Sequence, residues 1–250
     1  MKNLTFILPI HVYNEELIRN VLTNLSQFTD TTTMIVAPKD VADAIRENYS
    51  TFTPTFVVND GATDYCSQVN LGVKECTTEY FSVIEFDDEY YDKWLSNFEI
   101  YSKDIDAAAY LPIVEMVDTN RNTVALGNEL AWSTSFVEDL GYLDLECLKS
   151  FYDFNIVGGI IKRDVFLEIG GLKPSMDIAA TYEFLMRMVN NGHKVYVVPK
   201  IGYKHMVGRE DSFIMQSKTR ITQEYGEWII KTAQVEMEYK EERDVHFSEE

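Results

Sequence analysis

The chain carries two acidic strand ends. Val57-Val58-Asn59-Asp60-Gly61-Ala62-Thr63-Asp64 runs from an apolar strand into a carboxylate, a glycine turn and a second carboxylate. Phe81-Ser82-Val83-Ile84-Glu85-Phe86-Asp87-Asp88-Glu89 repeats the arrangement further along. Open α/β sheets bind ligands at the carboxyl ends of their strands. Two acidic ends in one sheet therefore point to a site for a nucleotide and a divalent metal.

Alternating elements would position these ends. Thr5 to Pro9 reads as a strand. Asn14 or Glu15 to about Gln27 reads as a helix, with Leu17, Ile18, Val21, Leu22 and Leu25 on one face. Thr33 to Ala37 is a strand, Lys39 to Tyr49 a helix capped by Asp40, and Thr55 to Val58 a strand. Asp64 to Glu75 is a helix, Phe81 to Phe86 a strand and Asp92 to Tyr101 a helix. In the strand from Ala107 to Val114, Pro112 predicts a sheet edge or a strand end. The alternation predicts an α/β fold, a mostly parallel sheet with helices on both faces.

The second half is less regular. Residues 115 to 150 read as a hairpin or loop insertion. Gly158-Gly159-Ile160-Ile161 reads as a buried strand where a backbone or ligand comes close. Val165 to Ile169 is a helix ended by Gly170-Gly171, Thr181 to Asn190 a helix and Lys194 to Pro199 a strand. From Phe213 to Arg243 one or two helices carry a stripe of Ile214, Ile221, Tyr225, Trp228, Ile229, Val235 and Tyr239. That stripe would pack back on its own domain or dock a partner helix.

Composition sets outer limits. The 250 residues are 46% apolar, enough for a substantial core. A net charge of −19 without a basic patch disfavours nucleic-acid backbones and anionic membranes. Cys66, Cys76 and Cys147 form no C-x-x-C pair, which fits free thiols in a reducing compartment. No signal peptide is legible at the start, and no apolar run is long enough to span a membrane. Cytoplasmic placement is the expectation.

Four segments, together spanning roughly residues 4 to 212, carry a resemblance to a known family. Ile7-Leu8-Pro9-Ile10-His11-Val12-Tyr13-Asn14-Glu15-Glu16 is similar to a first strand with a P-x-Y-N-E turn. Val57 to Asp64 is similar to a V-D-D-G-S-T-D turn. Asn70-Leu71-Gly72-Val73 followed by Glu79-Tyr80-Phe81 is similar to an N-x-G segment and a G-E-Y strand. Gly158 to Gly171 is similar to a stretch that ends in Gly-Gly-Phe. In this order the chain resembles a GT-A glycosyltransferase of the family-2 type. The division is then a GT-A domain over 1–212 and a C-terminal helical appendage with an acidic tail over 213–250. The Tyr-rich, acidic style is also similar to glycosyltransferase-like reading frames of large tailed phages, which would place the chain in host cytoplasm or a virion.

The resemblance implies roles. Asp60 would hold the nucleobase with Asn59, where the family has a second Asp, and Pro9 and Tyr13 would line the nucleotide pocket. The same Asn59-Asp60-Gly61 would also serve as a plain helix cap. Glu85-Phe86-Asp87-Asp88 falls on the D-x-D-D metal motif, with Glu85 replacing the first Asp. Mg²⁺ or Mn²⁺ takes such hard oxygen ligands; the alternative is a solvated acidic turn. His205 would sit near the diphosphate or on the metal, and Lys204 and Arg209 would neutralise phosphate. Aligning on Arg187 puts Ala180 and Thr181 where the family has Glu and its catalytic Asp. Thr cannot act as a base near neutral pH, so Glu183 or Asp177 would substitute; the plainer alternative for Glu183, and the favoured one, is the solvated face of its helix. Trp132 and its aromatic neighbours would stack on an acceptor.

Two readings follow. One is a metal-dependent, inverting enzyme that moves a sugar from a nucleoside diphosphate donor, a UDP-sugar first, to a glycan, protein or small-molecule hydroxyl. The other is a catalytically inactive binding or structural protein on the same fold, with a possible protein partner on the C-terminal helices.

Overall fold

The structure is a computed structural model that describes residues 3–49, 52–59, 61, 64–132, 139–209 and 222–236. β1 (Leu4–Pro9) is buried throughout. α1 (Glu15–Ser26) follows once the Asn14 side chain accepts the Leu17 N–H at 3.1 Å, satisfying a donor that a helix start leaves open. β2 (Thr32–Ala37), α2 (Lys39–Asn48) and β3 (Thr55–Val58) come next. Pro38, with no side-chain hydrogen bond, is the cap of α2; Asp40 lies inside the first turn instead. α3 (Tyr65–Glu75) starts from Asp64, whose carboxylate accepts the Ser67 N–H at 2.9 Å. Then follow β4 (Tyr80–Val83), β5 (Glu89–Tyr90), α4 (Trp94–Tyr101), β6 (Ala109–Val117) and β7 (Thr123–Gly127). α5 (Leu145–Ser150), β8 (Ile160–Lys162), α6 (Arg163–Glu168), α7 (Ala180–Asn190), β9 (Val195–Met206) and α8 (Gln223–Glu236) complete the order. Pro174–Ala179 is a 3₁₀ segment that runs into α7.

The sheet runs β3-β2-β1-β4-β8-β6-β9-β5, with β7 paired to β6. β3, β2, β1 and β4 are parallel, as the alternation predicts. β8 enters antiparallel between β4 and β6, β9 runs parallel to β6, and β5 and β7 are antiparallel additions. Residues 115 to 150 do begin with a hairpin, β6 to β7.

Pro112 lies in a central strand, flanked by β8 and β9, not at an edge. The register explains how. Leu111 pairs with Val197 and Ile113 with Ile201, so Val198, Pro199 and Lys200 stand opposite Pro112 alone. A bulge absorbs both prolines where a regular ladder would miss their N–H groups. β9 thus continues past Pro199 to Met206.

One face of the sheet packs α3, α5, α6, α7 and α8; the other packs α1, α2 and α4. α8 buries Ile229 and Ala233 against α7 and the 174–179 segment, while Trp228 and Val235 face outward. Of the stripe, Ile229 and the half-buried Tyr225 therefore pack on the domain. Ile214, Ile221 and Tyr239 lie outside the described residues. Among the described residues no helix is long and apolar enough to cross a membrane.

Candidate functional site

The acidic motif after β4 is a turn. The Ile84 N–H donates to Ile7 O at 3.0 Å, then the Asp88 N–H returns to Glu85 O at 3.1 Å. The strand accordingly ends at Val83, before Phe86. The turn swings Glu85, Phe86 and Asp87 into the wall of a cavity of about 410 Å³. β1 contributes Pro9 and the following loop His11; α3 contributes Tyr65 and Gln68. The segment before α7 brings Asp177, α7 brings Thr181, the end of β9 brings His205 and the residues just past it Arg209.

Asp88 is only 2% exposed and ties the turn to β9. Its Oδ2 accepts from the Tyr203 hydroxyl and from His205 Nδ1, both at 2.8 Å, and its Oδ1 accepts the Met206 N–H at 2.8 Å. Tyr203 Oη also accepts the Glu85 N–H at 3.1 Å, so one buried phenol fixes both ends of the turn. Gly158 makes room for it: at φ +68 it lies flat against the ring, and a Cβ there would meet Tyr203 at 2.4 Å. The close approach expected at Gly158-Gly159 is thus a tyrosine ring and, at Gly159, Leu111.

Glu85, Asp88 and His205 place one ligand atom each within 4.8 Å of one another. The donor set, two carboxylates and an imidazole, fits a hard divalent cation. Burial pushes Glu85 up to about 8, reinforced by the Asp88 and Asp87 carboxylates against His205. Burial alone would lower His205, but the Asp88 carboxylate raises it to about 10. Asp87 rises to about 6 through burial and Asp88, opposed by Arg209. Carboxylates clustered in a partly dry site hold their protons more tightly in this way. Arg209 Nε lies 3.2 Å from Asp87 Oδ2, with its guanidinium 5.1 Å from the Phe86 ring centroid.

The remaining expected residues divide. Pro9 lies on the cavity wall. Asp60 lies outside the described residues. Asn59 is buried and shapes its turn: its N–H donates to Ala37 O at 2.9 Å and its Oδ1 accepts the Gly61 N–H at 3.4 Å. Tyr13 packs with the core under α1 and α2, off the cavity wall. Lys204 points to the other side of β9, 3.7 Å from Glu89 and over the Tyr91 ring, so phosphate contact does not suit it. Trp132 donates Nε1 to Val197 O at 3.0 Å and packs on Tyr196; it props the sheet and does not line the cavity.

Glu183 and Asp177 part company. Glu183 is fully buried, and both of its oxygens accept from Arg187, Nε and Nη2, at 2.8 Å. Arg187 also donates to Ile169 O and Gly171 O, and Lys173 Nζ lies 3.6 Å from Glu183. This knot fastens α7 to the glycine turn after α6, which makes Glu183 a positioning residue. Asp177 lines the cavity at φ 46, ψ −121, a backbone conformation that costs an ordinary residue about 1–3 kcal/mol.

Sequence reasoning missed His11, Tyr65, Gln68 and Tyr203. Tyr65 and Gln68 carried a signal, since positions i and i+3 share a helix face.

The parallel α/β half-sheet, with an acidic turn at the carboxyl end of a central strand beside a cavity, matches the fold of GT-A glycosyltransferase structures. The profile of a family described as glycosyltransferase like family 2 matches residues 5–214, and the chain belongs to that family. Staphylococcus aureus TarS 1–349, solved in complex with UDP-GlcNAc, has a similar structure (TM-score 0.66, 16% identity, covering 98% of this chain and 69% of that one). So does the mannosyltransferase PcManGT of Pyrobaculum calidifontis, solved with GDP-Man and Mn²⁺ (TM-score 0.61, 14% identity, 94% and 69%). The chain spans 60% of another TarS 1–349 structure and 41% of the longer TarS. At these identities the likeness is one of fold. No curated protein matches the chain significantly by sequence.

Proposed function

We propose that the chain transfers a sugar from a nucleoside diphosphate donor to a hydroxyl acceptor, inverting the anomeric carbon. The observation that carries this reading is the meeting of Glu85, Asp87, His205 and Arg209 with Asp177 around one cavity. Glu85, Asp88 and His205 would hold Mn²⁺ or Mg²⁺, with Asp87 beside them. When bound, such an ion offsets the charge that grows on the departing diphosphate. Arg209 adds a second cation beside Asp87 in the same cavity. Asp177 accepts the acceptor's hydroxyl proton as that oxygen bonds to the anomeric carbon and the carbon–phosphate oxygen bond breaks. Backbone strain at Asp177 favours this assignment, because strained residues concentrate where function holds them. Asp60 and Pro9 would receive the base. The UDP-GlcNAc and GDP-Man complexes of the structural neighbours support a nucleotide-sugar donor.

The test is turnover of UDP-, GDP- and dTDP-sugars with Mn²⁺, with the product's anomeric configuration read by proton NMR. An inverted product that vanishes in Asp177→Asn supports the reading; a retained configuration overturns it. One observation favours a second reading, a binding protein without turnover: both oxygens of Glu183 are held by Arg187, and the resemblance would put Thr181 where the family has its base. Metal-dependent donor binding without transfer or hydrolysis across acceptors would select that reading.

A further inference from the structure

Two buried polar atoms on the cavity wall have no hydrogen-bond partner among the described residues: the Tyr65 hydroxyl and the Gln68 side-chain nitrogen. Gln68 is only 2% exposed, and both residues line the cavity. Buried polar groups are paired in the great majority of cases, so each exception calls for a cause. Leaving a donor unmet costs about 1–3 kcal/mol. The two residues sit one turn apart on the same face of α3, and both line one cavity.

That volume has defined borders. The carboxylates of Glu85 and Asp88 act electrostatically on Tyr65, which lies beside the acidic turn. Asp177 acts on the neighbouring Cys66, and α3 packs against the 174–179 segment. The face therefore lies between the groups assigned to the diphosphate and the group assigned to the acceptor's proton. In a sugar nucleotide the part between diphosphate and reacting hydroxyl is the sugar ring, whose oxygens are acceptors that an amide N–H and a phenol can meet.

Building on the donor reading above, we infer that Tyr65 and Gln68 recognise the sugar of the donor through hydrogen bonds to its hydroxyl or substituent oxygens, and so set donor-sugar selectivity. The free chain leaves both groups unmet, and the sugar satisfies them. Loss of either contact weakens the sugar nucleotide and leaves the bare nucleotide unaffected.

The experiment is calorimetry with Mn²⁺ on the full chain, using UDP, GDP and dTDP and their glucose and N-acetylglucosamine conjugates. Wild type is compared with Tyr65→Phe and Gln68→Leu, which keep the shape and remove the polar atom. The expected result is an unchanged affinity for the bare nucleotide and a loss of about 2- to 10-fold per variant for the conjugate. The melting midpoint should hold or rise, since each variant removes an unmet buried group. Equal affinity for the conjugate in wild type and variants overturns the inference and leaves the donor reading standing. A drop in midpoint with parallel losses for nucleotide and conjugate also overturns it, because the pair would then be structural. If wild type binds neither nucleotide nor conjugate, the donor reading falls and this inference with it.

Discussion

Replacing Glu183 with alanine strips the buried Arg187 guanidinium of its counter-charge. Arg187 is 4% exposed and Glu183 is fully buried, so water cannot take over the pairing. Both N–H···O contacts of the fork, each 2.8 Å, disappear, and the nearby Lys173 ammonium loses its carboxylate as well. Breaking a buried pair from one side costs about 3–5 kcal/mol. In a chain of this size each kcal/mol moves the midpoint by about 2–4 °C, so the melting midpoint should fall by about 6–20 °C. Scanning calorimetry measures that fall, and donor turnover per folded molecule is then followed well below the variant's midpoint. Turnover should stay within a few-fold of wild type, because Glu183 lies off the cavity wall and its oxygens serve Arg187. The reasoning is refuted by the opposite pattern: an unchanged midpoint with turnover reduced about 10²-fold or more, the mark of a lost general base.

Asp177→Gly should give the complementary pattern. It releases about 1–3 kcal/mol of backbone strain, offset by about 0.5–1 kcal/mol for glycine's extra freedom when unfolded, so the midpoint holds or rises while turnover falls about 10²- to 10⁴-fold. Glu85 and His205 are both held above their ordinary values of 4.5 and 6.5, near 8 and 10. The folded chain therefore keeps protons that the unfolded chain releases, and in EDTA its stability should fall as pH rises through about 8 and then about 10. Thermal melts across that range check the slope; a midpoint that climbs with pH there contradicts it, and saturating Mn²⁺, by replacing those protons, should flatten the fall. Gly158→Ala drives a methyl into Tyr203 at a contact of 2.4 Å; it should cost about 1–3 kcal/mol and weaken Mn²⁺-dependent nucleotide binding, both measurable in one calorimetric series.

Local signals made the first half of the fold legible. Asn14 and Asp64 announce the starts of α1 and α3 through side-chain caps that need only the next three residues, and the alternation of apolar strands with helices fixes the parallel half-sheet. Pro112 misled because its cost is local but its remedy, the three β9 residues standing opposite it, is not visible in its own strand. Phe86 read as strand because the apolar run continues past Val83, while the turn that stops it depends on Asp88 and on Tyr203 from β9. The acidic motif itself was plain in sequence; its clamp was not. Two placements could have been read in advance. Period-two alternation along β9 puts Tyr203 and His205 on one side and Lys204 on the other. The i, i+4 spacing of Glu183 and Arg187 offered an ion pair before a base.

The account rests on a single cavity that holds a cation and a nucleoside diphosphate together. UDP and GDP affinities measured with and without Mn²⁺, for wild type and for Glu85→Gln, test it most directly. The prediction is that Mn²⁺ tightens one of these nucleotides by about tenfold or more in wild type, about 1.4 kcal/mol, and that Glu85→Gln loses this gain while keeping the metal-free affinity. Nucleotide binding indifferent to Mn²⁺ in wild type, or an equal gain in the variant, would contradict it.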